Sequence, residues 1–341
     1  MARTAISPTG PLATFLHERG ASFASGRVRG FADESEQLGA PQLAPLLGTG
    51  LLRATGADRL EFVHAHVSSE VKRLKVGDMS EGLLLNHKGH ALAQLVVVRQ
   101  AEAVILAVDG GAGAVVEKQL REHIIFDDVR LEPLPWATLT LQGDSAASIL
   151  QGVLAEELPG DRRFLELSFE DQPLLVHPVR RSGAGGCDLH GPESVIVTLA
   201  ERLLAAGARL AGERSLELQR VLAGIPSAEG EGGEGVLPQE AGLEPLVNYR
   251  KGCYLGQEIM ARVEARGNLR RSLHGLKLEA WPEAGAKDIV QAGKPVGRLG
   301  TVAEHPELGV VALAVLRKGL AEDAHLEVAG TRAYVAPLPL N

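Results

Sequence analysis

The run Lys251-Gly252-Cys253-Tyr254-Leu255-Gly256-Gln257-Glu258 sets one of the chain's two cysteines beside a cation and between two glycines. Cysteine acts as its thiolate, and the thiolate is favoured by a neighbouring ammonium or guanidinium, or by the unpaired N–H groups at a helix N-terminus. The sequence offers all three. Lys251 and Arg250 are adjacent cations, and the apolar positions Leu255, Ile259, Met260 and Val263 share one face of a helix that the glycine turn would open. Cys253 is therefore expected near that helix start as a reactive centre, with Lys251 favouring the thiolate. Gly252 and Gly256 would give backbone access, while Gln257 and Glu258 hold the turn or offer polar contacts. Tyr254 reads equally as a packed ring, and Glu258 as a helix-cap carboxylate. Most free cysteines are small core residues. That is the expectation for Cys187, in Gly185-Gly186-Cys187-Asp188, whereas the surroundings of Cys253 are polar and cationic.

Around this thiol lies a basic stretch. Residues 250–271 hold six cations, Arg250, Lys251, Arg262, Arg266, Arg270 and Arg271, against Glu258 and Glu264, in a chain whose net charge is −8. Arg262 and Arg266 are four apart and share a helical face. Any one of these arginines is most simply a solvated side chain, with Glu258 pairing Arg262. As a cluster beside a reactive cysteine they read as an anion site for carboxylates or phosphates.

The elements that must position this site follow from the patterning. A chain of 341 residues exceeds one compact core, and 45% hydrophobic with 23% charged residues is ordinary globular composition. Two widely spaced cysteines form no disulfide framework, and no window reaches the length of a membrane span, so the chain reads as soluble and cytoplasmic. The acidic balance excludes a surface that binds nucleic acid throughout, though not a local patch. Residues 50–55 read as a strand leading to a helix capped by Asp58, with Leu60, Phe62, Val63 and Val67 inward. His64 and His66, two apart on that helix, point to different faces and make no metal pair. Residues 82–85 and 91–99 read as strands joined by a turn at 86–89, then 103–108 as a strand, 114–123 as a helix, and 124–132 as a strand with Phe126 and Val129 inward. The order then restarts, with 137–141 as a strand, Gly143-Asp144 as a cap and 145–153 as a helix. Strands at 164–169 and 174–179 and a helix at 192–206 follow, which implies a duplicated α+β unit. Residues 227–235 read as a glycine and glutamate linker. Its formal GxGxxG has no leading strand, no following helix and two glutamates that would repel a pyrophosphate. Beyond Arg271, strands at 272–279, 295–303, 309–316 and 324–336 point to a small all-β barrel. The expected domains are 1–135, 136–270 and 271–341. No Walker A run, CxxC pair, HExxH or GxSxG elbow occurs, and one cysteine cannot hold an iron–sulfur cluster alone.

The thiol motif, with Ala261-Arg262 and Arg266-Gly267 after it, resembles the signature of the folate-binding YgfZ family, within the superfamily of the glycine-cleavage T-protein, a tetrahydrofolate-dependent aminomethyltransferase. Residues 50–58 resemble its first strand and helix, Leu85-Asn86-His87-Lys88-Gly89-His90 its Asn-x-x-Gly turn, residues 220–226 its Arg-x-Glu-Ala-Gly segment and Lys294-Pro295-Val296-Gly297 its C-terminal barrel. The resemblance implies duplicated α+β subdomains in a ring with a C-terminal β-barrel, tetrahydrofolate as cofactor and no tightly bound metal. It further implies a role in making or maintaining iron–sulfur enzymes, including those that modify tRNA, so that folate, iron–sulfur client or assembly proteins and tRNA are the expected partners, without a membrane. Cys253 and Lys251 are then the reactive pair. Gly252, Tyr254, Gly256, Gln257, Glu258, Arg262, Arg266 and Asn86 are the candidate folate contacts. Two departures bear on this. Ala93 and Gln94 stand where the T-protein carries an aspartate pair, so acid–base help for aminomethyl transfer is missing. Leu222 replaces a glutamate that accepts the paired N–H donors of a pterin, which lowers the expected folate affinity. A one-carbon transferase or demethylase, and a tRNA- or protein-binding module using residues 250–271, are the alternative readings.

Overall fold

The computed structural model describes residues 10–31, 40–267, 269–320 and 325–340. The chain opens with helix α1 (Pro11–Glu18), the hairpin β1 (Ser22–Ala24) and β2 (Arg27–Gly30), and strand β3 (Gln42–Pro45). A first repeat follows: β4 (Gly50–Thr55), α2 (Arg59–His66), β5 (Met79–Leu85), β6 (Ala91–Arg99), β7 (Val104–Val108), α3 (Gly113–Glu122) and β8 (Arg130–Leu134). The second runs β9 (Ala137–Gln142), α4 (Ala146–Leu154), β10 (Leu165–Phe169), β11 (Gln172–Val179), β12 (Gly186–Gly191), α5 (Glu193–Ala205) and β13 (Arg209–Leu210). The sheets have the same order, β5-β6-β7-β4-β8 and β10-β11-β12-β9-β3-β13, except that β3 is inserted beside β9 and pairs in parallel with β13. The duplication expected from the sequence is thus a duplication of topology. Its clearest mark is the glycine after each opening strand, Gly56 at φ 105° and Gly143 at φ 124°, a region that favours glycine.

Amphipathic spacing explains the packing. Val195, Ile196, Leu199, Ala200 and Leu203 form one buried stripe of α5 and share a core with Leu12, Phe15 and Leu16 of α1 and with Leu139, Leu141, Val176 and Leu189 of the second sheet. The first sheet packs Leu51, Val96, Val98, Ile105 and Ala107 with Met79, Phe164 and Leu175.

After α6 (Glu213–Leu222) and α7 (Gln257–Arg266) comes a closed six-stranded barrel, ordered β14-β17-β16-β15-β18-β19. Its strands are β14 (Arg271–Leu278), β15 (Asp288–Gln291), β16 (Lys294–His305), β17 (Gly309–Arg317), β18 (Leu326–Val328) and β19 (Thr331–Ala336). By contact density the chain forms two units. One comprises 1–66, 70–82 and 95–216, the other 67–69, 83–94 and 217–341. The β5–β6 hairpin is shared out accordingly, its tip belonging to the second unit. Among the described residues no helix is long and apolar enough to cross a membrane.

The structure corrects several expectations. Residues 124–129 are not strand, and Phe126 is 98% exposed, although Val129 is buried. The chain is turned there by a reciprocal pair: Asp58 N–H donates to the Asp128 carbonyl, while Asp128 N–H donates to the Asp58 carboxylate at 2.8 Å. The Asp58 side chain is thereby engaged across the turn rather than as a simple helix cap. The strand expected at 324–336 is two strands broken at Ala329 and Gly330, both at positive φ, and Ala324 itself lies outside the described residues. The linker expected at 227–235 is partly enclosed, with Glu229, Glu234 and Gly235 exposed and Glu231 and Gly232 buried. The Glu231 side chain is fully buried, accepting from Arg220 Nη1 at 2.8 Å, Ser227 N at 2.8 Å and Thr301 N at 2.9 Å.

Candidate functional site: a thiol turn docked on a hairpin tip

The thiol turn is built inside the second unit. Its core joins Leu83, Leu85 and Ala91 of the β5–β6 tip with Val236, Ala241, Leu243, Val247, Tyr254 and Met260, and with Val315 of β17. Two glycines permit this docking. Gly256, at φ 83° immediately before α7, lies so close to the hairpin that a Cβ would stand 2.8 Å from the Asn86 carbonyl oxygen. Gly89, at φ 75° in the hairpin turn, would place a Cβ 2.7 Å from Met260 Cε and 3.1 Å from Ile259 Cβ. The Asn-x-x-Gly turn and the thiol motif are therefore two halves of one packing surface, although more than 150 positions separate them in the chain.

Lys251 pins the turn from within. It is buried, and its Nζ donates at 2.7 Å to the carbonyls of both Val67 and Ser69 while lying 5.1 Å from the centroid of the Tyr254 ring. The segment between those carbonyls is itself clamped. Ser68 N–H donates to Leu83 O, Leu83 N–H to Ser68 Oγ, Ser68 Oγ–H to Leu246 O, and Asn248 N–H to Ser68 O. A buried ammonium is tolerated only with such fixed acceptors. Gln257 closes the turn by donating to the Lys251 carbonyl at 3.4 Å.

Cys253 is exposed, three positions before the Gly256 cap, and so is Gly252. Cys187 is buried, and desolvation, with Asp188 beside it, pushes its thiol up to about 12, which agrees with the inert core role expected for it. Tyr254 is buried as a packed ring. Burial first, then Tyr249 and Glu264, raise its hydroxyl to about 12, and that hydroxyl has no hydrogen-bond partner among the described residues. Gln239 Oε1, in the same unit, is also buried without a described partner. A donor and an acceptor are thus left over in the unit that carries the thiol, a pattern that marks solvent or a polar ligand as part of the structure.

The remaining candidates are placed as follows. Asn86 spends its side-chain oxygen on its own turn, accepting from Lys88 N at 2.9 Å and His90 N at 3.0 Å. Glu258 and Arg262 form an exposed ion pair at 3.1 Å, and Arg271 is paired with Glu240. The side chain of Arg266 lies outside the described residues. Arg250 and Arg270 are exposed, so the cationic field of this stretch rests on fewer groups than the sequence count gives. Leu222 is half-buried and supplies no carboxylate. For tetrahydrofolate the residues fit at one end: the exposed guanidinium groups suit the carboxylates of the glutamyl tail, whereas the pterin's paired donors find no acid at Leu222.

Sequence reasoning missed a second polar group, in the first unit. His177, Asp188 and His190 lie together, buried, on β11 and β12. The Asp-x-His alternation of β12 was the available signal, hidden because the glycines before Cys187 obscure the strand.

A duplicated pair of sheets, a closed barrel and a glycine-docked turn define a class built like the glycine-cleavage T-protein. The crystal structure of glycine cleavage system aminomethyltransferase T from Bartonella henselae matches with a TM-score of 0.83 at 19% identity, covering 97% of each chain. The family model for the GCVT N-terminal domain matches residues 48–251, and the chain belongs to that family. It is also similar to the tRNA-modifying protein YgfZ of Yersinia pestis (strain Pestoides F), 26% identical over 312 residues, which is 85% of this chain and 90% of that protein. A chloroplastic protein of Arabidopsis thaliana named as a transferase is 26% identical over 283 residues, 80% of this chain, and the match spans 65% of that relative's length.

Proposed function

We propose that the chain is a tetrahydrofolate-binding accessory protein that supports assembly or repair of iron–sulfur clusters, including those of tRNA-modifying enzymes, with Cys253 as its reactive centre. The observation that carries this reading is how the thiol is presented. It is exposed on a turn whose neighbours Lys251 and Gln257 are spent on holding the backbone, while the Tyr254 ring is packed in the core. A single thiol on a pinned turn suits passing contact with a soft metal centre or a partner's thiol, since a resident cluster needs about four ligands. The similarity to YgfZ supports the link to tRNA modification, and the T-protein fold supports the folate site. Action in the cytoplasm, without a membrane, belongs to the same reading.

Folate would be held mainly through its tail, by Arg250 and Arg270, with Gly252 and the backbone of the turn allowing close approach. Bound tetrahydrofolate supplies a one-carbon carrier. Aminomethyl transfer itself is disfavoured, because Ala93 is buried and apolar and Gln94 is neutral.

The test is an anaerobic calorimetric titration of tetrahydrofolate into the wild-type protein and Cys253→Ala. Saturable binding that survives the substitution is expected, as is tightening by about tenfold in Leu222→Glu, where a carboxylate would meet the pterin donors. Absence of binding to either protein sinks the folate role. A steep fall of tRNA affinity with salt, each phosphate contact releasing a counterion, would instead favour an RNA-binding module.

A further inference from the structure

The first unit carries a convergence of donors that the thiol turn does not use. On the paired strands β11 and β12, His177 stands opposite Asp188, and His190 is two residues further along β12, on the same face. All three are buried, at 0%, 1% and 0% exposure, and one donor atom from each lies within 4.8 Å of the others. The two Nε2 atoms are 2.9 Å apart. Each ring has an oxygen at its other nitrogen: the Pro178 carbonyl lies 3.2 Å from His177 Nδ1, and Thr138 Oγ1 lies 2.9 Å from His190 Nδ1. If both Nδ1 atoms donate to those oxygens, two bare lone pairs face one another, and something positive must sit between them. A proton does so when Thr138 donates to His190 and His190 donates to His177. A metal ion does so with both rings held by the outer oxygens, the arrangement that usually orients histidine ligands.

We propose that His177 Nε2, His190 Nε2 and one carboxylate oxygen of Asp188 form a three-donor site for a divalent first-row metal ion of the zinc type, separate from the thiol turn. Two imidazoles and a carboxylate suit zinc, cobalt or iron(II), and not the all-oxygen shells of magnesium or calcium. The surrounding charge favours a cation. Arg181 bonds Asp188 through Nε at 3.0 Å and Nη2 at 2.5 Å, and bonds Asp109 through Nη1 at 3.2 Å and Nη2 at 2.7 Å. Asp109 and Asp188 together outnumber the one guanidinium. Arg181 keeps Asp109 as a partner when a metal takes an oxygen of Asp188. The side chains of Arg181 and Asp109 are 18% and 25% exposed.

The test uses chelator-treated full-length Cys253→Ala, so that the exposed thiol cannot contribute, titrated with cobalt(II) and followed by visible absorption and calorimetry. One equivalent with the intense d–d bands of a low-coordinate N/O site is expected. His190→Ala should weaken binding by at least about 100-fold, and Thr138→Val, which leaves all three donors and removes only the outer oxygen, by about tenfold. Circular dichroism establishes folding. If His190→Ala does not fold, Thr138→Val decides alone. A folded protein with no cobalt spectrum at saturating metal, or binding unchanged in Thr138→Val, overturns the site and leaves the two histidines as a proton-bridged pair.

Discussion

Lys251 carries its charge into the protein, where the Val67 and Ser69 carbonyls receive it, while Cys253, two positions on, faces solvent. Sequence adjacency made the lysine look like a partner for the thiolate; the structure gives it the work of fixing the turn's backbone. Lys251→Met should therefore act first on stability. Two buried carbonyls lose a charged donor, at about 3 kcal/mol together, and Lys251→Arg should not restore it, because a planar fork cannot replace a point-like ammonium between two carbonyls. Denaturant midpoints measure both. The two thiols should separate just as sharply. A thiol reagent should titrate one cysteine in the native protein, Cys253, and reach Cys187 only after unfolding, since that thiol is buried and pushed up to about 12. Two thiols reacting at once in native protein would contradict this burial.

At the scale of elements, the docking of the thiol turn on the β5–β6 tip depends on backbone approach rather than on side-chain recognition. Gly256→Ala would put a methyl group 2.8 Å from the Asn86 carbonyl and force a left-handed φ on alanine. A loss of about 2 kcal/mol or more is expected, with hydrogen exchange rising in residues 86–90 and 251–257 together; exchange rising in only one segment would mean that the two turns are not coupled. Both turns were legible in the sequence as glycine-punctuated loops, and so were most strands and helices, because their apolar periods are local. What was not legible depends on distant partners. Glu231 reads as a linker residue until Arg220 and Thr301 enclose it. Residues 124–129 read as a strand until Asp58 and Asp128 turn the chain and leave Phe126 outside. Strand β12 lies behind a glycine pair, and β15 is four residues long, so neither carried enough pattern to be seen.

For the molecule as a whole, acid should be the destabilising condition, and the cause is internal rather than the net charge of −8. Burial first, then the His177 ring, holds His190 down to about 3, and burial lowers His177 against the pull of Asp188. Unfolded histidines take up protons below about 6.5, so between that pH and about 3 the unfolded chain binds protons that the native state refuses. The unfolded state binding more protons means that stability rises with pH across this window and falls as acid is added, by about 1.4 kcal/mol per pH unit for each proton refused. Asp188 behaves differently: burial would raise it, but Arg181 overrides burial and holds it at about 2. Its contribution is full above the ordinary carboxylate range and is lost as pH falls from about 3.8 to about 2, largely below the histidine window. Urea unfolding of metal-free protein between pH 4 and pH 7 should show the histidine slope, and a His177→Gln, His190→Gln protein should lose it while keeping its m-value. An unchanged slope in that double variant would place the acid sensitivity elsewhere than in the buried imidazoles.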